Sequence, residues 1–192
     1  MNLTDLFVSS LLNNNIAFTF ILGMCPLIAI STNVKNAKGM GIAVVIVVTL
    51  TGIINYPIYL LLKATNTTNL ALLVFIITIA ATVQILEIFI EKYLPKVYSS
   101  FGIFLPLITV NCVVLAVSLF FVNRNYNFLQ TATFSFASSL GWMMAIIIVA
   151  GVREKMAAIQ SDVPRGLVGK GIVFIILGIL SLAFLGFTGL SF

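Results

Sequence analysis

The chain has 192 residues, of which 61% are hydrophobic, 8% charged and none is histidine, and its mean hydropathy is +1.20. Soluble domains carry roughly a quarter charged residues, so a soluble globular domain, a disordered chain and a disulfide-rich secreted module are excluded, leaving an integral membrane protein. Without His there is no Ser-His-Asp or Cys-His catalysis, no zincin site and no His-ligated haem. Two cysteines and five acids (Asp5, Glu87, Glu91, Glu154, Asp162) remain for any reactive or ion-binding role.

Taken in chain order, the first apolar segment covers residues 3–31 and is interrupted by Asn13-Asn14-Asn15. That leaves residues 16–30 as a helix of about 22 Å, too short to cross a bilayer alone. Five further runs follow at 39–62, 70–90, 101–122, 128–152 and 167–190, each of 21 to 25 residues. A helix needs roughly 20 residues to span the hydrocarbon, so six transmembrane segments are expected. The connections at 32–38, 63–69, 91–100, 123–127 and 153–166 are short, which makes residues 1–192 a single all-α transmembrane domain.

The net charge of +5 and the pI near 9.4 are explained by topology. Six segments put both termini on one side, with only Lys63 and Arg124. The other side carries Lys35, Lys38, Lys92, Lys96, Arg153, Lys155, Arg165 and Lys170. Lys and Arg in short loops stay in the cytoplasm, so both termini should face the outer side. No aromatic-interleaved basic patch suggests nucleic acid, and no Lys/Arg n-region marks a signal peptide.

Cys25 and Cys112 are 87 residues apart, and the same shift aligns Ile16 with Ile103, Ile21 with Ile108, Ala29 with Ala116, Ser31 with Ser118 and Asn36 with Asn123. Three segments in each half (about 1–96 and 97–192) force the second half upside down, the inverted repeat of many transport folds. Segments one and four both look broken: Pro26 follows Cys25, and Gly102 and Pro106 precede Asn111-Cys112. Irregular backbone at membrane depth survives only where it is buried in protein or lines a site, and two breaks in corresponding places point to a functional centre.

Each cysteine can be read as a small buried hydrophobe, as half of a disulfide, or as a metal ligand. Two thiolates cannot complete the four ligands of an ordinary iron–sulfur cluster, so a cluster here would need a partner, most economically a homologous subunit with the same pair.

The residues around the cysteines resemble a known family. Asn14-Asn15-Ile16-Ala17, Leu22-Gly23-Met24-Cys25-Pro26 and Gly102-Ile103-Phe104-Leu105-Pro106-Leu107-Ile108-Thr109-Val110-Asn111-Cys112 are similar to the paired membrane subunits of the Na⁺-translocating NADH:quinone oxidoreductase (Nqr) and of the Rnf ferredoxin:NAD⁺ oxidoreductase. Val83-Gln84-Ile85-Leu86-Glu87, Gly141-Trp142-Met143, Gly151-Val152-Arg153-Glu154-Lys155-Met156 and Ser161-Asp162-Val163-Pro164 look most like the E-type Nqr subunit. The Asn run and Cys25-Pro26 look like the A-type Rnf subunit.

This resemblance implies an electron-transfer subunit in the bacterial inner membrane, with no complete active site of its own. Cys25 and Cys112 would ligate a [2Fe–2S] cluster shared with the six-helix sister subunit (D in Nqr, E in Rnf). Flavins, other centres and ubiquinone reduction would belong to other subunits. Asn14 and Asn111 could hydrogen-bond cluster sulfurs and tune the potential.

Gln84, Glu87 and Glu91 recur at helical spacing near the cytoplasmic end of segment three. Glu87 can be read as a snorkelling interfacial carboxylate or as part of a Na⁺ path facing the bundle interior, which the resemblance favours. Arg153-Glu154-Lys155 reads as a solvated cytoplasmic loop, Trp142 as a residue packed against protein, and Ala137, Ser138 and Gly141 as a face for close helix contact. The competing class is a small secondary transporter, which the inverted repeat and broken helices equally allow.

Overall fold

The computed structural model describes residues 3–13, 15–65, 70–93, 105–158 and 170–188, and every regular element among them is helical. Helix α1 (Leu3–Val8) runs into a π-helical turn at Ser9–Asn13. Then come α2 (Met24–Ile30), α3 (Val34–Ala64), α4 (Ala71–Tyr93), α5 (Leu105–Thr109), α6 (Cys112–Asn123), α7 (Phe128–Ala158) and α8 (Lys170–Thr188). Three stretches among the described residues are long and apolar enough to cross a membrane, Val34–Ala64, Ala71–Phe89 and Phe128–Met156, while Leu107–Asn123 and Gly171–Gly186 are shorter apolar helices.

The centre of the bundle is the antiparallel pair α3 and α7, each of 31 residues. Val34 meets Glu154 at one end, Gly41 faces Met143 and Gly52 faces Ser135 along the middle, and the Tyr56 and Phe128 rings lie 5.4 Å apart at the other end. Small residues are what permit this. A methyl group added to Gly52 would run into Ser135 Oγ, so the backbones approach as closely as glycine allows. Phe121 of α6 packs into the same core, with the Phe75, Tyr59 and Tyr56 rings 5.9, 6.1 and 6.5 Å away.

Among its described side chains, helix α4 buries only the stripe Ala71, Phe75, Ile79 and Val83, one residue per turn, and exposes Leu72, Leu73, Ile76, Ile77, Ile85 and Ile88. Helix α8 likewise buries Val173, Ile176 and Leu177 and exposes Phe174, Ile175, Ile179 and Leu182. An outer surface this apolar is stable only against hydrocarbon or another apolar protein face.

Three sequence-based boundaries change. The helix expected over 16–30 forms only at Met24–Ile30, because residues 15–23 turn instead. Asn15 Oδ1 accepts from the Ala17 N–H at 3.0 Å, which competes with helix hydrogen bonding. Ile21 (φ 54°) and Gly23 (φ 78°) then sit in the left-handed region, and the helix restarts only after them.

In segment four the break falls at Val110–Asn111 rather than at Pro106. Pro106 is the second residue of α5, where a first-turn proline is tolerated, and Gly102 lies outside the described residues. The basic triplet Arg153-Glu154-Lys155 belongs to the last turns of α7, not to a loop.

Candidate functional site

The first break places Cys25. Its backbone polar groups are satisfied from several directions, as membrane depth requires. The Thr19 N–H donates to Asn15 O at 2.8 Å and the Leu22 N–H to Ile16 O at 3.2 Å. Ser181 Oγ of α8 donates to Phe18 O at 2.7 Å, beside a Phe18–Phe184 ring stack at 4.4 Å. Asn15, fully buried, donates from Nδ2 to Leu11 O at 3.1 Å and to Gly141 O of α7 at 3.2 Å. One residue further along α7, Trp142 Nε1 donates to Gly23 O at 3.3 Å.

Cys25 follows as the second residue of α2. At the far end of that helix Arg153 Nη1 donates to Ile28 O at 3.1 Å and to Ser31 Oγ at 2.7 Å, while the Val34 N–H donates to Glu154 Oε2 at 3.1 Å. Arg153 thus caps the carbonyl end of α2, and Glu154 caps the amide end of α3, each charge matching its helix terminus.

The second break places Cys112 as the first residue of α6. Asn111 caps this helix, with Oδ1 accepting from the Val113 N–H at 3.1 Å, and its own N–H donates to Ile108 O at 3.2 Å. The Asn111 side chain is buried, and its Nδ2 has no hydrogen-bond partner among the described residues. Asn111 and Cys112 line a groove of about 230 Å³ with Ile76, Ile79, Thr109, Val110 and Leu115.

The two breaks meet. Gly23 is wedged between Trp142 and Val113, the residue after Cys112, so that even a methyl group there would collide with both side chains. The Phe20 and Phe120 rings add a second contact at 5.0 Å.

Both cysteines are free and exposed, although Pro26 and Leu27 beside Cys25, and Asn111 and Val113 beside Cys112, are buried. In this single chain neither thiol is disulfide-bonded or buried. The described residues contain no group of three or more His, Cys, Asp or Glu side chains. A buried amide donor lacking a partner, next to an outward-facing thiol, fits a sulfur-rich ligand that approaches from outside the chain.

Among the other sequence candidates, Asn14 lies outside the described residues. Glu87 is half-buried and continues the Ala71–Phe75–Ile79–Val83 stripe by one further turn, whereas Gln84 and Glu91 are exposed. Trp142, Ala137, Ser138 and Gly141 are all buried, as expected.

Sequence reasoning marked Asn15 as part of the break but missed its bonds to Leu11, Ala17 and Gly141, the Arg153 cap and a buried polar junction. In that junction Asn55 Nδ2 donates to Ser118 Oγ at 2.9 Å and accepts at Oδ1 from Thr78 Oγ1 at 2.7 Å, tying α3, α6 and α4 together. An Asn inside the run 39–62 was the available signal, since a lone amide in hydrocarbon requires partners.

The chain is 46% identical over 201 residues to a Maridesulfovibrio salexigens protein named as the E-type subunit of Na(+)-translocating NADH-quinone reductase, covering 99% of this chain and 98% of that one. Proteins of the same name from Dichelobacter nodosus (45% over 199 residues) and Methylococcus capsulatus (46% over 198 residues) match over 97% of both chains in each pair. Residues 3–191 match the family described as Rnf-Nqr subunit, membrane protein. The broken helices and the cysteines they carry therefore sit in a chain that belongs to the Rnf-Nqr family of membrane subunits.

Proposed function

We propose that this chain is the E-type membrane subunit of a Na⁺-translocating NADH:quinone reductase, and that Cys25 and Cys112 supply two of the four thiolates of a [2Fe–2S] cluster completed by a homologous subunit. Similarity over nearly its whole length to proteins of that name supports the complex. The observation that carries the cluster is the outward exposure of both free thiols on two touching breaks, beside Asn111 Nδ2, which has no hydrogen-bond partner among the described residues.

Thiolates are the usual ligands for iron–sulfur centres, and such a cluster, when bound, supplies one-electron exchange. What this chain contributes is geometry. It presents two sulfurs from helix starts fixed by buried hydrogen bonds, and it offers an amide donor from Asn111, with Asn14 preceding Cys25 in the sequence as a second candidate, to hydrogen-bond sulfur. The donor set fits, and half of it belongs to the partner.

The fold that accompanies this reading is one membrane unit of six segments in two inverted halves, 1–96 and 97–192. Broken segments at α1–α2 and α5–α6, the 31-residue helices α3 and α7, and the outer helices α4 and α8 occur in the same order in each half. The excess of Lys and Arg at one end of the segments supports an orientation with both termini on the periplasmic side of the bacterial inner membrane. Glu87, half-buried on the inward stripe of α4, is the acidic candidate for a Na⁺ path.

The test is spectroscopic. In the purified complex, Cys112→Ser abolishes the cluster's EPR signal; an unchanged signal overturns the ligand assignment. Sodium-stimulated quinone reduction identifies the Nqr complex, and ferredoxin-dependent NAD⁺ reduction would place the chain with Rnf instead. Glu87→Gln lowers the sodium dependence of turnover, and an unaltered dependence removes Glu87 from the path.

A further inference from the structure

We infer that Trp142 is a positioning residue for the cysteine pair, acting through Gly23; this rests on the reading that Cys25 and Cys112 hold a shared cluster. Gly23 is two residues before Cys25, and its carbonyl accepts the indole N–H at 3.3 Å. Its α-carbon is packed so tightly between Trp142 and Val113 that no side chain fits, and Val113 directly follows Cys112. One glycine thus touches the backbone segment of one cysteine and the neighbour of the other, and one fully buried indole holds it there.

The preceding residue of α7, Gly141, accepts from Asn15 Nδ2 at 3.2 Å. A single turn of the longest helix pair therefore holds both ends of the 15–23 break. The thiols face outward while this clamp lies behind them, so Trp142 touches no ligand atom and acts only on where Cys25 stands relative to Cys112.

The N–H and the bulk of the indole have separable roles. Bulk fills the space against Gly23 and Val113. The N–H fixes the plane of the Gly23–Met24 peptide at the start of α2. Without it, Arg153 still anchors the far end of α2, but the start of the helix, where Cys25 lies, is held by packing alone, and the distance between the two sulfurs is no longer set by a directional bond at that end. Donors bonded directly to metal ligands typically change affinity or activity by about 10- to 100-fold when removed; Trp142 acts one step further out, so the lower end of that range, about tenfold, applies.

The experiment uses the purified complex carrying Trp142→Phe, Trp142→3-benzothienylalanine (an isostere in which sulfur replaces the N–H), or Cys25→Ser. The isostere retains iron at the wild-type ratio, shows a shifted EPR line shape and midpoint potential, and loses about tenfold in kcat for quinone reduction with KM unchanged. If Trp142→Phe fails to assemble, the isostere decides, since it keeps the volume. An isostere with wild-type spectrum, potential and turnover overturns the positioning role. The two levels separate cleanly. Cys25→Ser with an intact cluster signal overturns the cluster reading itself, whereas loss of signal in Cys25→Ser with a silent isostere refutes only the role of Trp142.

Discussion

Asn15→Ala is the substitution whose effect can be worked out most fully. Asn15 is completely buried, accepts from the Ala17 N–H at 3.0 Å, and donates to Leu11 O at 3.1 Å and Gly141 O at 3.2 Å. Alanine strands the Ala17 N–H, at about 1–3 kcal/mol for a buried donor left unmade, and removes two donations of about 0.5–1.5 kcal/mol each. Gly141 lies inside α7, so its carbonyl keeps a helical partner and the lower end applies to it, whereas Leu11 lies in the last turn of its helical segment; the sum is about 2–5 kcal/mol. At about 2–4 °C per kcal/mol for a chain of this size, the melting temperature falls by about 5–20 °C.

Asn15→Asp preserves the bond from Ala17 but turns a second acceptor oxygen toward two carbonyls, so it destabilises at least as much. The assay is heating of the detergent-solubilised protein while following the emission of Trp142, the chain's single tryptophan, which adjoins Gly141. An Asn15→Ala protein melting within about 1 °C of wild type would refute the account of the break, because none of the three bonds could then be stabilising it.

Other consequences are equally direct. Gly52→Ala drives a methyl group into Ser135 Oγ and should destabilise by about 1–3 kcal/mol, with Ser135→Gly restoring most of the loss; a double variant no better than the single one refutes that contact. Arg153→Met uncaps the end of α2 and should lower the melting temperature more than Glu154→Gln, whose charge contributes about 0.3–1 kcal/mol at the start of α3; the reverse ranking in a thermal scan contradicts the capping geometry. Maleimide labelling followed by mass spectrometry should find Cys25 and Cys112 both modified in the isolated protein and both protected in the assembled complex, and equal labelling in the two states argues against a shared group.

The long helices were legible because hydrophobic runs of more than 20 residues have one stable form in hydrocarbon. So were the two breaks, since Asn runs and helix-entry prolines weaken segments one and four. What could not be read was the extent of the first break. Residues 16–20 are as apolar as any helix, and they turn because Asn15 bonds its own chain and because Ser181 and Trp142, more than a hundred residues away, satisfy the freed carbonyls. Arg153 misled for a similar reason. A basic triplet after an apolar run looks like a solvated loop until Ile28 and Ser31 are brought to it by the fold. Asn55 was visible as an anomaly, but its partners Thr78 and Ser118 lie on helices whose register only packing determines.

The length of the α3–α7 pair governs more than its own packing. Each helix is about 46 Å long, against a hydrocarbon layer of about 30 Å. Tilt alone would have to reach about 50°, beyond the usual range of about 0–40°, so one end of the pair stands proud of the bilayer. The charges select which end: Lys35, Lys38, Glu154 and Lys155 are gathered there together. Helix α2, about 10 Å long, is fastened to that end by Arg153. It is too short to seek a depth of its own, and the level at which Cys25 rides in the membrane is inherited from how the long pair seats itself.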